Sequence, residues 1–260
     1  MNRAYFFYIV RTNVKILLAF TLVLCAFLAV VTNVFTPQTV ASLQGATANT
    51  IASNILTSDG TLVGFMANSF YALMAILFPM VYTIFVANRL IAEKIDKGSM
   101  TGFLATPISR TQIVGASACY LVLSLAAMWA TASVVGIVCA DAFQPGALDR
   151  DTFLLLNLGA FLYHLAISAI SFCASCVFNS SKASLIVGGG LPLLFFVISL
   201  LLKLSEDLEV LRYFTLNTLY DTQRIVDGSD YQMRLVALLV IAMVLYTCGL
   251  LIFRRKDLPL

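Results

Sequence analysis

The stretch RLIAEKIDKGSMTGFLATPISR, residues 89–110, connects two long apolar segments of this 260-residue chain. Its charged beginning favours a helix, and Gly98 is suited to end that helix. Pro107 then stops a second short helix. Ser109 and Gln112 form the S-x-x-Q pattern of a capping box, which starts the next long helix. A few polar residues would suffice to reverse the chain. The pattern therefore predicts a structured connection: helix, break, short helix, turn and helix.

Outside this connection the chain is mostly apolar. It is 60% hydrophobic and only 11% charged, whereas soluble domains carry about 25% charged residues. Six windows without Asp, Glu, Lys or Arg are long enough to cross a bilayer. Their continuous apolar character favours helices over a barrel. We predict an all-α polytopic membrane protein, one transmembrane domain over residues 1–260, with six helices at 16–36, 61–88, 112–140, 153–178, 184–202 and 234–253.

The basic residues are divided unequally between the two sides of the predicted spans. Eleven Lys and Arg lie on the side that holds both termini and residues 89–110, against five on the other side. Because Lys and Arg are enriched on the cytoplasmic side, both termini are predicted to be cytoplasmic. We expect a multi-pass protein of the cell (plasma) membrane of a prokaryote. The formal net charge of +3 follows from this topology and gives no evidence for nucleic acid.

Two segments outside the spans carry helical signals. Residues 1–15 combine aromatic and basic residues and predict an N-terminal interfacial elbow helix; an extension of the first span is the alternative. Residues 203–231 are too polar to span. Leu204, Leu208 and Leu211 recur there at helical spacing, which predicts short external helices. Two arrangements are compatible with this pattern: helices that enter the outer leaflet and helices that lie on its surface.

The fifth span contains glycines at 188–190 followed by Pro192. Such a cluster lets another helix approach closely, and a moving hinge is the alternative. Only residues 179–182 join the fourth and fifth spans, so these two spans are predicted to be antiparallel neighbours.

The short helix after Gly98 should place three apolar side chains on one face: Met100, Phe103 and Leu104. An apolar face exposed beside charged residues is typical of a docking surface, because burial supplies affinity and charge sets register. The sequence therefore predicts contact with a soluble partner; an ordinary interfacial loop is the alternative. The charged flank consists of Glu93, Lys97 and Arg110.

Two stretches resemble the permeases of ABC-2 type transporters: residues 93–110, with Glu93, Gly98 and the ending Leu-x-x-Pro-Ile-Ser-Arg, and the final FRRKDLP at 253–259. The resemblance covers the whole chain in topology. It implies a short cytoplasmic coupling helix between helices 2 and 3 that sits in a groove of a separate P-loop ABC ATPase. The residues expected in or beside this coupling element are Glu93, Lys97, Gly98, Met100, Phe103, Leu104, Pro107 and Arg110.

The sequence contains few of the residues and motifs that are typical of catalytic sites. No Gly-Lys dipeptide occurs, so the chain has no P-loop, and Mg-ATP is expected to bind to the partner ATPase. We predict no catalytic residue, no metal site and no cofactor in this chain. A single histidine, His164, is too few for an intramembrane metalloprotease.

His164, Asn157 and Ser168 are polar residues within the fourth span. They are candidates for a substrate pathway, with a structural role as the alternative.

The sequence therefore predicts the transmembrane subunit of an ABC exporter. Because one six-helix chain is half a pathway, a second copy or a homologous permease is expected as partner. The charge-poor spans favour an amphipathic or apolar substrate: a peptide, lipid-like molecule or drug. A non-transporting membrane scaffold or sensor with the same fold is the alternative.

Overall fold

The computed structural model describes residues 3–35, 61–104, 106–204 and 215–256, and within these ranges it is helical with no strand. Six helical segments are long and apolar enough to cross a membrane, which confirms the predicted number of spans. The helices are α1 (Arg3–Val34), α2 (Leu62–Ser69), α3 (Ala75–Leu90), α4 (Ala92–Asp96), α5 (Ser99–Leu104), α6 (Arg110–Phe143), α7 (Arg150–Val177), α8 (Ser181–Leu204), α9 (Thr222–Val226) and α10 (Gln232–Arg255).

The first span is longer than predicted. α1 runs without a break over 32 residues, and it contains neither Gly nor Pro to interrupt it. Residues 3–15 are therefore its first turns, and the expectation of a separate elbow helix over residues 1–15 is corrected to the alternative, an extended helix. At about 1.5 Å per residue, these turns continue α1 by roughly 20 Å beyond the apolar part that begins at residue 16.

The second span is built from several pieces. α2 leads into a π-helical turn, Phe70–Met74, which α3 continues with Pro79 in its interior. The π turn adds an extra residue to the local helical repeat. Its Tyr71 is fully buried and donates a hydrogen bond to Asn157 Oδ1 in α7 at 3.0 Å. This irregular region thus packs directly against the centre of the bundle.

α7 is the central helix. It packs against α3, α6, α8 and α10, whereas α1 packs mainly against α6 and α3. In the most apolar window of each span, 67% of the α7 residues and 61% of those in the second span are buried, against 11% in α1. α1 and α10 therefore expose large apolar side chains such as Leu22 and Met233. An outer surface of this kind is what a bilayer requires.

α7 and α8 are close antiparallel neighbours, as predicted. A Cβ added at Gly188 would lie 2.9 Å from the Ala174 Cβ and 3.1 Å from the Ser171 Cα. Ser171 Oγ also donates to the Gly188 carbonyl at 2.7 Å. The glycine therefore permits backbone contact between the two helices, which confirms close packing at this position.

This contact predicts the effect of adding one methyl group. Gly188→Ala should lower the unfolding free energy by about 1–3 kcal/mol, because the backbone atoms it meets cannot move aside. Gly190→Ala is the matched control, since no atom lies within 4 Å of its added Cβ. Thermal unfolding in detergent should show a lower melting temperature for the first variant only. Equal melting temperatures would contradict the close contact.

The insertion between α8 and α10 is described from residue 215 onward. It contains a 3₁₀ turn, Leu216–Leu219, and α9, which Asp221 caps. Tyr220 Oη donates to the Leu156 carbonyl of α7 at 3.1 Å, and Tyr163 Oη donates to Asn217 Oδ1 at 2.6 Å. A short helix before α10 is thus confirmed, and its external side stays a prediction. The predicted amphipathic helix with Leu208 and Leu211 lies outside the described residues.

Candidate functional site

The connection between the second and third spans has the predicted order of elements. α4 ends at Asp96, with Lys97 as its C-cap. Gly98 then adopts a positive φ of 68°, which a residue with a side chain adopts only with strain. α5 follows as a short helix of six residues. Ser109 then accepts from the Gln112 N–H while the Gln112 side chain accepts from the Ser109 N–H. The predicted helical break and the capping box are both confirmed.

A second break precedes α4 and was not predicted. Ile91 has φ −129° and ψ −71°, so α3 ends at Leu90 and α4 begins at Ala92. The charged start of the connection is therefore a separate helix. Two residues of the charged flank form an i, i+4 ion pair there, with Lys97 Nζ 2.5 Å from Glu93 Oε1. Such a solvent-exposed pair adds about 0.3–0.5 kcal/mol to a helix.

The apolar face of α5 points into the protein, so the predicted exposed docking face is wrong. Met100 is only 2% exposed. The Phe103 ring is half-buried and lies 5.3 Å from the Tyr5 ring and 5.7 Å from the Tyr8 ring. Because α1 extends beyond the apolar span, its first turns supply aromatic partners that cover this face. The side chain of Leu104 lies outside the described set.

Lys94 completes an aromatic cluster with Tyr5, Tyr8 and Phe103. Its ammonium nitrogen lies 5.1, 5.6 and 5.1 Å from these three ring centroids, respectively, and donates to Tyr5 Oη at 3.1 Å. Each such cation–π contact contributes about 0.5–1 kcal/mol at an exposed site. The cluster fixes α4 and α5 to α1. Sequence reasoning missed Lys94, because the contact spans about 90 residues of chain; the aromatic run at positions 5–8 was its only sequence signal.

The outward surface of the connection is polar and made of small residues. Thr101 is exposed, and its hydroxyl donates to the Gly98 carbonyl at 2.6 Å. Gly98, Ser99, Thr106 and Pro107 are exposed as well. A partner that approaches from the water side would therefore meet Thr101 and its neighbours.

Hydrogen bonds tie the connection to other spans. Asp96 Oδ2 accepts from the Ser181 N–H at the start of α8, at 3.2 Å. Arg110 donates to the Lys256 carbonyl at the end of α10, at 3.0 Å, and the Lys256 ammonium donates to the Cys176 carbonyl near the end of α7, at 3.0 Å. Desolvation lowers the pKa of Lys256. With the aromatic cluster, these bonds link the connection to α1, α8 and the end of α10, which Lys256 in turn links to α7.

The three predicted pathway residues lie on α7, and all are buried. His164 Nδ1 and Nε2 lie 2.7 Å and 3.0 Å from the carbonyl oxygens of Ala160 and Ile76, and Ser168 Oγ lies 2.7 Å from Tyr246 Oη. Asn157 lines a cleft of about 240 Å³ together with Trp129, and its Oδ1 accepts from the Tyr71 hydroxyl. Each of the three side chains thus has a hydrogen-bonding partner inside the bundle, and their role in a substrate pathway stays a prediction. Within the described ranges, no three His, Cys, Asp or Glu residues are placed to hold a metal ion.

The connection and the six spans match a known protein family. A family model described as ABC-2 family transporter protein matches residues 9–258. A comparison with curated proteins gave no match. The matched range covers all six spans and the connection described above. The chain therefore belongs to the ABC-2 transporter family, as a membrane-spanning permease component, and this membership implies an ABC ATPase as partner.

Proposed function

We propose that this chain is the permease subunit of an ABC exporter and that residues 89–110 couple it to a separate ATPase, which binds Mg-ATP. The observation that most supports this proposal is that the connection contacts α1 through the aromatic cluster, α8 through Asp96 and the end of α10 through Arg110. Force applied to α5 would thereby reach several spans at once. A loop that only reversed the chain would need no such contacts.

In this proposal the ATPase contacts the exposed side of α5, around Thr101, and not its apolar side. The aromatic cluster then passes the displacement to α1, while Asp96 passes it to α8. Closure of two ATPases on ATP would move the connections of two permeases, a second copy or a homologue, between inward- and outward-open states. The charge-poor spans suit an amphipathic or apolar substrate.

Reconstitution tests this proposal against the scaffold alternative. The chain is co-expressed with each candidate ABC ATPase of its genome, and the complex is purified through a tag on the permease. A permease of an exporter should hold one ATPase stoichiometrically, and amphipathic peptides, lipids or drugs should include one that raises its ATP hydrolysis in vesicles. A scaffold would hold the ATPase without any substrate-dependent hydrolysis.

The proposed orientation has its own test. On a cysteine-free background, Ala147→Cys and Ser229→Cys should react with an impermeant maleimide added outside intact cells, because both positions are exposed on the proposed external side. Ser99→Cys should react only after the cells are opened. The expected contrast in labelling is about tenfold or more, because an intact bilayer excludes the charged reagent. The reverse pattern would place the termini outside.

A further inference from the structure

A cleft of about 510 Å³ lies between the first turns of α1 and the connection. Its volume falls within the roughly 300–1,000 Å³ typical of ligand pockets. The α1 side contributes Tyr8 and Thr12. The other side consists of Arg89, Glu93, Lys94, Lys97, Ser99, Gly102, Phe103 and Thr106. Thr101, the proposed centre of the ATPase contact, does not line this cleft.

The cleft carries an excess of positive charge. Three cations line it, Arg89, Lys94 and Lys97, against the single carboxylate of Glu93. That carboxylate already pairs with Lys97. Lys94 contacts aromatic rings and a phenol but no carboxylate. Arg89 is half-buried, and within the described residues its guanidinium makes no ion pair or hydrogen bond. Two cations therefore remain without an anion.

The end of the cleft that holds Thr12 and Arg89 lies at the membrane surface. Charged residues are absent from 16–34 in α1 and from 60–88 in the second span, so the hydrocarbon region ends near Lys15 and Arg89. Thr12 and Arg89 thus lie at the level of the lipid phosphates. Tyr8 has the amphipathic character favoured at this depth. Further along α1, in its apolar part, Leu18 and Leu22 expose 62% and 69% of their surface and offer a path for acyl chains.

We propose that this cleft binds the phosphate headgroup of an anionic glycerophospholipid from the cytoplasmic leaflet. The planar guanidinium of Arg89 can hold two phosphate oxygens, and Lys94 supplies a second positive charge. Basic pockets between transmembrane helices on the cytoplasmic side are suited to anionic headgroups. A bound lipid would neutralise Arg89 and bridge α1 to the connection. The proposal rests on membrane embedding and on the proposed orientation, and it is independent of the coupling proposal.

Lipid titrations of the purified permease in neutral detergent test the site. Thermal unfolding is measured with added dioleoyl-phosphatidylglycerol, dioleoyl-phosphatidylcholine or glycerol 3-phosphate. Phosphatidylglycerol should raise the melting temperature, at concentrations at which phosphatidylcholine and glycerol 3-phosphate do not. Arg89→Gln should need at least about tenfold more phosphatidylglycerol for half the increase. Arg89→Lys, which keeps the charge, should need less than Arg89→Gln. Arg254→Gln, which removes an exposed cation of α10 outside the cleft, should match wild type.

Several outcomes would overturn the proposal. An unchanged phosphatidylglycerol titration in a folded Arg89→Gln permease would show that the cleft binds no anionic lipid. An equal effect of phosphatidylcholine would show that the negative charge of the headgroup does not determine binding. An equal effect of glycerol 3-phosphate alone would make the ligand a soluble phosphate compound. Loss of ATPase binding by Arg89→Gln, with an unchanged lipid titration, would assign the cleft to the ATPase.

Discussion

Thr101→Trp should release the ATPase from the permease and leave the membrane bundle folded. Thr101 is exposed on α5, so a larger side chain at this position replaces no buried residue of the permease core. It would occupy the space that the ATPase needs in order to approach α5. A clash at the centre of an interface is expected to cost about 1.4–2.8 kcal/mol or more, a tenfold to hundredfold loss of affinity.

The measurement is the amount of ATPase retained by the tagged permease at a fixed ATPase concentration. Thr101→Val is the matched control, because it also loses the hydroxyl bond to the Gly98 carbonyl but has almost the volume of threonine. It should retain the ATPase. Both variants should unfold within a few degrees of the wild-type temperature, since a surface change alters stability by about 0.5 kcal/mol at most. Full retention of the ATPase by the Trp variant would place the contact elsewhere.

Phe103→Ala should loosen the first turns of α1 without releasing the ATPase. The substitution removes two aromatic contacts, with Tyr5 and Tyr8, and one cation–π contact with Lys94. At about 0.5–1.5 kcal/mol for each aromatic pair and 0.5–1 kcal/mol for the cation–π contact, the loss is roughly 1.5–4 kcal/mol. Amide exchange of residues 4–12 should therefore accelerate by about tenfold to a thousandfold.

Hydrogen-exchange mass spectrometry checks this result, with Phe103→Trp as the control that retains an aromatic ring. The same variants are tested for ATPase retention. Because Phe103 faces α1, Phe103→Ala should hold the ATPase about as well as wild type, which separates its effect from that of Thr101→Trp. Loss of the ATPase without faster exchange in α1 would show that Phe103 contacts the partner directly.

The six spans, the break at Gly98 and the capping box at Ser109 were all predictable from the sequence. Each depends on local properties: a run of apolar residues long enough for a bilayer, a backbone conformation that favours glycine, and polar side chains three residues apart. These properties do not depend on the tertiary structure of the rest of the chain. The close approach at Gly188 was also predictable, because a glycine cluster in a span favours helix contact.

The direction of the apolar face of α5 was decided by tertiary structure alone. The sequence showed that Met100 and Phe103 share one side of a short helix, but not what would cover that side. The cover comes from Tyr5 and Tyr8, about 95 residues earlier in the chain, because α1 continues beyond its apolar part instead of bending at residue 15. The same extension creates the cleft beside Arg89. Helical periodicity fixes which residues lie together on a face, whereas only the packing of distant segments determines whether that face meets protein, lipid or water.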